Sequence, residues 1–99
     1  MKLRLRDLKG LGPKSEASLQ EIGISSPDEL KRVGAVRAFI NLRQRATVKP
    51  SLNFLYAMVG ALEDRHWREI AETERTRLFA ELDSYAERQK QLQHNDAGT

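Results

Sequence analysis

Apolar residues recur three and four positions apart through most of the chain, a spacing that predicts helices rather than strands. Ala17, Leu19 and Ile22 suit a helix of about two turns that opens at Pro13 and stops at Gly23. In Ser26-Pro27-Asp28-Glu29 a capping serine, a proline at the first helical position and a capping-box glutamate announce a second, short helix. It buries Leu30 and Val33 and ends or bends at Gly34. From Ala35 to Ala46, Val36, Phe39, Ile40 and Leu42 lie on one side, with Arg37, Arg43 and Arg45 elsewhere, so this helix has a basic outer face. Pro50 disfavours helix at Lys49, and Ser51 is placed to cap the next element.

Leu52 to Leu62 is apolar almost all round, which marks a core helix, expected over residues 51–63 and enclosed by others. Gly60 in its interior, with Ala57 and Ala61, predicts close approach of a neighbouring helix. Trp67 and Ile70 are expected to fold back onto the core as a short helical turn. Thr73 is the expected cap of a last helix over 73–92, whose stripe is Leu78, Leu82, Tyr85 and Leu92, with Phe79 and Ala86 beside it. Beyond Ala86 core partners run out, so this helix projects, pairs with a second subunit or docks on another domain. Residues 93–99 read as a disordered tail. At the other end Leu3, Leu5 and Leu8 fit a strand by alternation or a helix by spacing, and the glycine turn after them favours helix. The expectation is an all-α fold: one domain over residues 1–92, a compact bundle of about five to seven helices.

The absence of cysteine removes disulfides and thiolate metal sites, and His66 and His94 lie 28 positions apart without a ligand set around them. No metal or cofactor is expected. No apolar run has the length of a membrane span, and Met1-Lys2-Leu3-Arg4 is not followed by a signal-peptide core, so a cytoplasmic protein without membrane contact is expected. Net charge is +3, but residues 1–50 hold 11 Lys or Arg against 5 Asp or Glu, and residues 51–99 hold 6 against 9. The basic half is the plausible face for a nucleic acid, although a run of charge also serves as a solvated surface.

Within that basic half lies the densest candidate chemistry, Asp7-Leu8-Lys9-Gly10-Leu11-Gly12-Pro13-Lys14-Ser15. The glycines allow a tight turn, Pro13 starts a helix, and the first helical amides point outward with the positive end of the dipole. Such a helix start binds anions. Lys14 opposes the dipole by about 0.3–1 kcal/mol, a cost that a bound anion reverses. The same residues also make a good structural turn, with Lys14 solvated near Glu16. The pattern resembles the helix-hairpin-helix motif, here over residues 8–22, which holds DNA backbone phosphates without reading bases. That resemblance places the contacts on the backbone of Gly10, Leu11 and Gly12, with Lys14, Lys9 and Arg6 adding charge.

A longer resemblance runs from Leu8 to Leu82. Leu11-Gly12-Pro13-Lys14-Ser15, Ile22-Gly23-Ile24, Gly34-Ala35-Val36, Ser51-Leu52-Asn53-Phe54-Leu55-Tyr56-Ala57, Gly60-Ala61-Leu62 and His66-Trp67 follow one another as in the C-terminal domain of TfoX/Sxy-family competence regulators. Asp64 stands where that pattern leads one to expect glycine. The resemblance implies an all-helical, helix-hairpin-helix-like domain, expected here to stand alone. In full-length relatives it accompanies an N-terminal TfoX domain and helps activate competence genes with the cAMP receptor protein. The function expected is a small non-enzymatic, sequence-nonspecific DNA-binding or transcription-regulatory module. A protein-interaction domain is the alternative, and a homodimer through the last helix is left open. Some helix-hairpin-helix proteins are base-excision glycosylases with an aspartate downstream of the hairpin, but Asp28 is explained by first-turn capping.

Overall fold

A computed structural model describes residues 3–97, with side chains described for residues 3–88. A single 3-10 turn, Leu5–Asp7, precedes α1 (Pro13–Glu21), α2 (Pro27–Val33), α3 (Ala35–Arg45), α4 (Leu52–Glu63), α5 (Trp67–Thr73) and α6 (Arg75–Ala97). The described residues form six α-helices and no strand, so the fold is an all-α bundle. Each element sends at least one fully or almost fully buried side chain inward: Leu5, Leu19, Leu30, Leu42, Leu55 with Met58, Ile70 and Leu78. Apolar area removed from water, at about 25 cal/mol per Å², is what holds such short helices together.

The boundaries follow local chemistry. Ser26 Oγ accepts from the Glu29 N–H at 3.2 Å, as its capping pattern requires, while the Glu29 carboxylate accepts from the Ser25 N–H rather than from that of Ser26. At the end of α1 the Ile24 N–H donates to the Leu19 carbonyl at 3.0 Å, which draws Ile24 into the core. The chain between α3 and α4 is tied back to α1, because the Thr47 N–H donates to Glu21 Oε2 at 2.9 Å.

Four expectations are corrected. The segment before the glycine turn makes only one 3-10 turn, because Asp7 Oδ2 accepts from the Arg4 N–H at 2.9 Å and Leu8 is already extended. On α1 Ala17 is exposed, and the residue beside it, Glu16, is buried instead. Ser51 makes no side-chain cap on α4. Thr73 does not start the last helix: its hydroxyl donates to the Glu69 carbonyl at 2.8 Å within α5, which leaves α6 to begin at Arg75. The expected tail from Gln93 falls on residues whose side chains lie outside the described set, and at 98–99 the backbone lies outside it too.

Gly60 is a close-approach position, and what approaches is the backbone that enters the next helix: Arg65 of the turn and Trp67, the first residue of α5. A Cβ on Gly60 would collide with the Arg65 carbonyl oxygen as the backbone turns from α4 into α5. The Gly60 carbonyl accepts from the N–H groups of both Asp64 and Arg65, the latter at 2.8 Å, and Asp64 takes a left-handed conformation with φ of 56° to permit this. His66 then caps α5, its Nδ1 accepting from the Arg68 N–H at 3.1 Å. Around this turn the Arg65 guanidinium reaches Glu63 and Glu69 carboxylates and the Thr73 hydroxyl, and Arg77 joins Glu63 to Glu74. Its carboxylate partners, Glu63 first, push the Arg65 pKa above the ordinary arginine value.

Candidate nucleic-acid interface

The glycine turn opens α1, as the sequence indicates, and the fold sets it against the core helix. Gly10 has φ of 85°, a conformation that favours glycine, and a Cβ there would lie in ordinary contact with Ala57 of α4. Leu11 is buried and anchors the turn, while Gly12 is extended and occupies the N-cap position of α1, with Pro13 as the first helical residue.

The fate of each amide decides what this turn can hold. The Leu11 N–H donates to the Leu8 carbonyl at 3.1 Å and is consumed in closing the turn. The Glu16 N–H donates to the Gly12 carbonyl at 3.0 Å and belongs to the helix. Among the described residues, no acceptor is found for the N–H groups of Gly10, Gly12, Lys14 and Ser15. Pro13 has none to offer. Free donors therefore flank Leu11 instead of including it, and three of the four gather at the start of a nine-residue helix.

The three basic side chains fare differently. Lys9 and Lys14 are exposed and make no ion pair among the described residues. Arg6 is exposed but paired: its Nε and a terminal nitrogen each lie 2.9 Å from Glu16 Oε1, and its backbone N–H donates to Glu16 Oε2 at 3.2 Å. Glu16, only 8% exposed, is thus fully engaged by one residue ten positions upstream. These contacts, the side-chain hydrogen bond foremost, hold its carboxyl below the ordinary glutamate range. The turn consequently carries two free lysines and a compensated carboxylate, instead of three free cations. Nothing in the local pattern marks Glu16 as Arg6's partner, because the two meet only after the glycine turn has reversed the chain.

Asp28 lies exposed in the first turn of α2, beside Glu29, where both carboxylates face the positive end of that helix.

Comparison with known proteins extends this local picture to the whole domain. The model of the TfoX C-terminal domain matches residues 1–82, through the glycine turn, the core helix and the first part of α6. The chain belongs to the TfoX C-terminal domain family. Among its relatives is the DNA transformation protein TfoX of Haemophilus influenzae, 30% identical over 79 residues, which are 80% of this chain and 36% of that protein. The TfoX C-terminal chain described here thus spans about a third of that relative's length. The fold is shared with a crystal structure of an uncharacterized protein from Listeria monocytogenes, with a TM-score of 0.72 and 28% identity over 85% of this chain and 94% of that one.

Proposed function

We infer that this TfoX C-terminal domain is a non-enzymatic nucleic-acid-binding module that grips a DNA backbone phosphate at the glycine turn. The observation that carries this reading is the set of unpartnered amides on Gly12, Lys14 and Ser15, at a helix start bordered by the exposed ammonium groups of Lys14 and Lys9. Free amides at a helix start and a favourable dipole suit a phosphate oxygen. Neither distinguishes one base from another, so the contact positions the duplex without specifying sequence.

The Arg6–Glu16 pair supports the same reading. A free carboxylate in the first turn of α1 would repel a phosphate, whereas Arg6 cancels that charge and leaves the amides and lysines to set the local potential. Arg6 in this role acts on the phosphate through Glu16, not by direct contact. The match to a DNA transformation protein agrees with a role in handling DNA; a transcription regulator such as the cAMP receptor protein is the partner that the family resemblance alone suggests.

Titration of unrelated duplexes over a range of salt concentrations tests this. Affinity should be alike for different sequences and fall steeply with salt, with a log–log slope of about −0.9 per phosphate contacted. A flat salt response, or strong preference for one sequence, would refute a backbone-only contact.

A second reading, a protein-interaction domain, is favoured by the exposed apolar pair flanking Pro50. Val48 is 72% exposed and Leu52, the first residue of α4, is 40% exposed. A large-to-charged change at Val48 that abolishes capture of a regulator while sparing DNA binding would establish it.

A further inference from the structure

Between Glu29 and Glu63 the chain carries six Lys or Arg, namely Lys31, Arg32, Arg37, Arg43, Arg45 and Lys49, and no Asp or Glu. All six are exposed. Where the fold uses an arginine as a structural tie it supplies a carboxylate: Arg4 pairs with Asp7, Arg6 with Glu16, and Arg65 and Arg77 with Glu63 and Glu74. None of the six makes an ion pair among the described residues. Cations left unopposed on one stretch repel one another, and a polyanion reverses that cost.

Helix α3 arranges part of this charge in a row. Arg37, Asn41 and Arg45 recur at four-residue spacing, so they share one side of the helix, with half-buried Asn41 between two exposed arginines. Arg37 and Arg45 stand about 12 Å apart along the axis at the helical rise. One DNA strand presents about three or four phosphates over that length, at one per roughly 3.4 Å. The Arg37 guanidinium lies 5.9 Å from the centre of the Tyr85 ring, a contact that steadies the side chain without consuming its N–H donors. Lys49 follows in the connection to α4, which the Thr47 N–H to Glu21 hydrogen bond at 2.9 Å ties to α1, the helix that the glycine turn opens. Glu81 lines the same cleft as Arg37 but makes no ion pair among the described residues.

We propose that this side of α3, with Lys49, is a second phosphate-contact surface, on which Arg37 and Arg45 meet phosphates of one strand of duplex DNA. The proposal rests on the reading that the chain binds duplex DNA, and it adds a second hold to the grip at the glycine turn. A guanidinium donates to two phosphate oxygens at once, and Asn41 offers a neutral amide donor between the two charges. Like the glycine turn, the row touches backbone and reads no bases, so it adds affinity and salt dependence without adding sequence preference.

Fluorescence anisotropy of labelled duplex DNA across a range of salt concentrations tests this. Arg37→Gln with Arg45→Gln keeps good helix formers in α3, so the helical circular dichroism should not change. Low-salt binding should weaken by about tenfold or more, and the log–log salt slope should fall by about two. Lys49→Gln, outside any helix, should lower the slope by about one, and it decides alone if the double variant loses helix. Arg68→Gln with Arg75→Gln removes the same charge from exposed positions on α5 and α6 and should leave the slope as in the wild type. A wild-type slope in the α3 variant overturns the proposal and leaves the row to an acidic protein partner; an equal fall in the α5–α6 variant overturns it as an effect of net charge. Lys14→Glu separates the two sites. If it weakens binding while the α3 variant does not, only the second surface is lost; the reverse result supports α3 and refutes the glycine-turn grip. A wild type that binds no DNA at low salt overturns both.

Discussion

The Arg6 guanidinium and the Glu16 carboxylate meet at 2.9 Å across the glycine turn, and the Arg6 N–H adds a third contact at 3.2 Å. One residue of the N-terminal turn thus holds the first turn of α1 by backbone and side chain together, which fixes the direction in which the chain enters the domain. Because Arg6 keeps the Glu16 pKa depressed in the folded state, the stabilisation is fully present above the unfolded value near 4.5 and is lost as pH falls through the folded value. Asp7, depressed chiefly by the Arg4 N–H, follows the same sign from 3.8 downward. Thermal melts should therefore hold steady from neutrality to about pH 5 and then decline. Glu16→Gln should lower the neutral Tm and make the acid decline shallower; a variant with the wild-type pH profile would contradict the lock.

The same pair governs the charge at the candidate phosphate site. Arg6→Ala removes the partner of Glu16 and leaves its carboxylate uncompensated beside the free amides. DNA affinity should fall several-fold, and adding Glu16→Gln should recover part of it. Loss in Arg6→Ala with no recovery in the double variant would instead mean that Arg6 touches DNA directly.

Gly60→Ala tests the turn between α4 and α5. Alanine is the better helix former by about 1 kcal/mol, so propensity alone predicts stabilisation. The added Cβ would instead strike the Arg65 carbonyl, a backbone atom that cannot move without breaking the Arg65-to-Gly60 hydrogen bond. Chemical denaturation should show a net loss of about 1–3 kcal/mol.

At Asp64 the sign reverses. Its left-handed backbone is strained for a residue with a Cβ, and glycine relieves that strain. Asp64→Gly should leave the fold intact and raise stability by up to about 1 kcal/mol in the same denaturation experiment. A loss would show that the aspartate side chain is itself stabilising the turn.

What the sequence disclosed depended on how local the cause was. Pro13, Pro27 with Ser26, and Pro50 place the starts of α1, α2 and α4 by rules that act within four residues, and those starts are legible even though the Ser51 side chain does not cap α4. The unbroken apolar run of α4 likewise marked the helix at the centre. Legibility failed where a side chain had two local options, as with Thr73, whose hydroxyl turned back to Glu69 instead of forward to α6. It failed again where partners were brought together by the fold. Ala17 looked like the core residue of α1, but Arg6 arriving from the other side of the turn made Glu16 the buried one. At the candidate site Gly10, Gly12, Lys9 and Lys14 are legible in the sequence, whereas the free Ser15 amide, the engagement of the Leu11 amide and the pairing of Arg6 with Glu16 become visible only with the turn closed.

The central claim, a phosphate grip at the start of α1, is tested most directly by fluorescence anisotropy of labelled duplex DNA with wild type and Lys14→Glu at low and near-physiological salt. Lys14 is exposed, so its replacement should leave the fold intact. The account predicts salt-sensitive binding by the wild type that Lys14→Glu weakens by about tenfold or more at low salt, with the log–log salt slope reduced by roughly one. Absence of binding at low salt, or equal affinity in the variant, would contradict it.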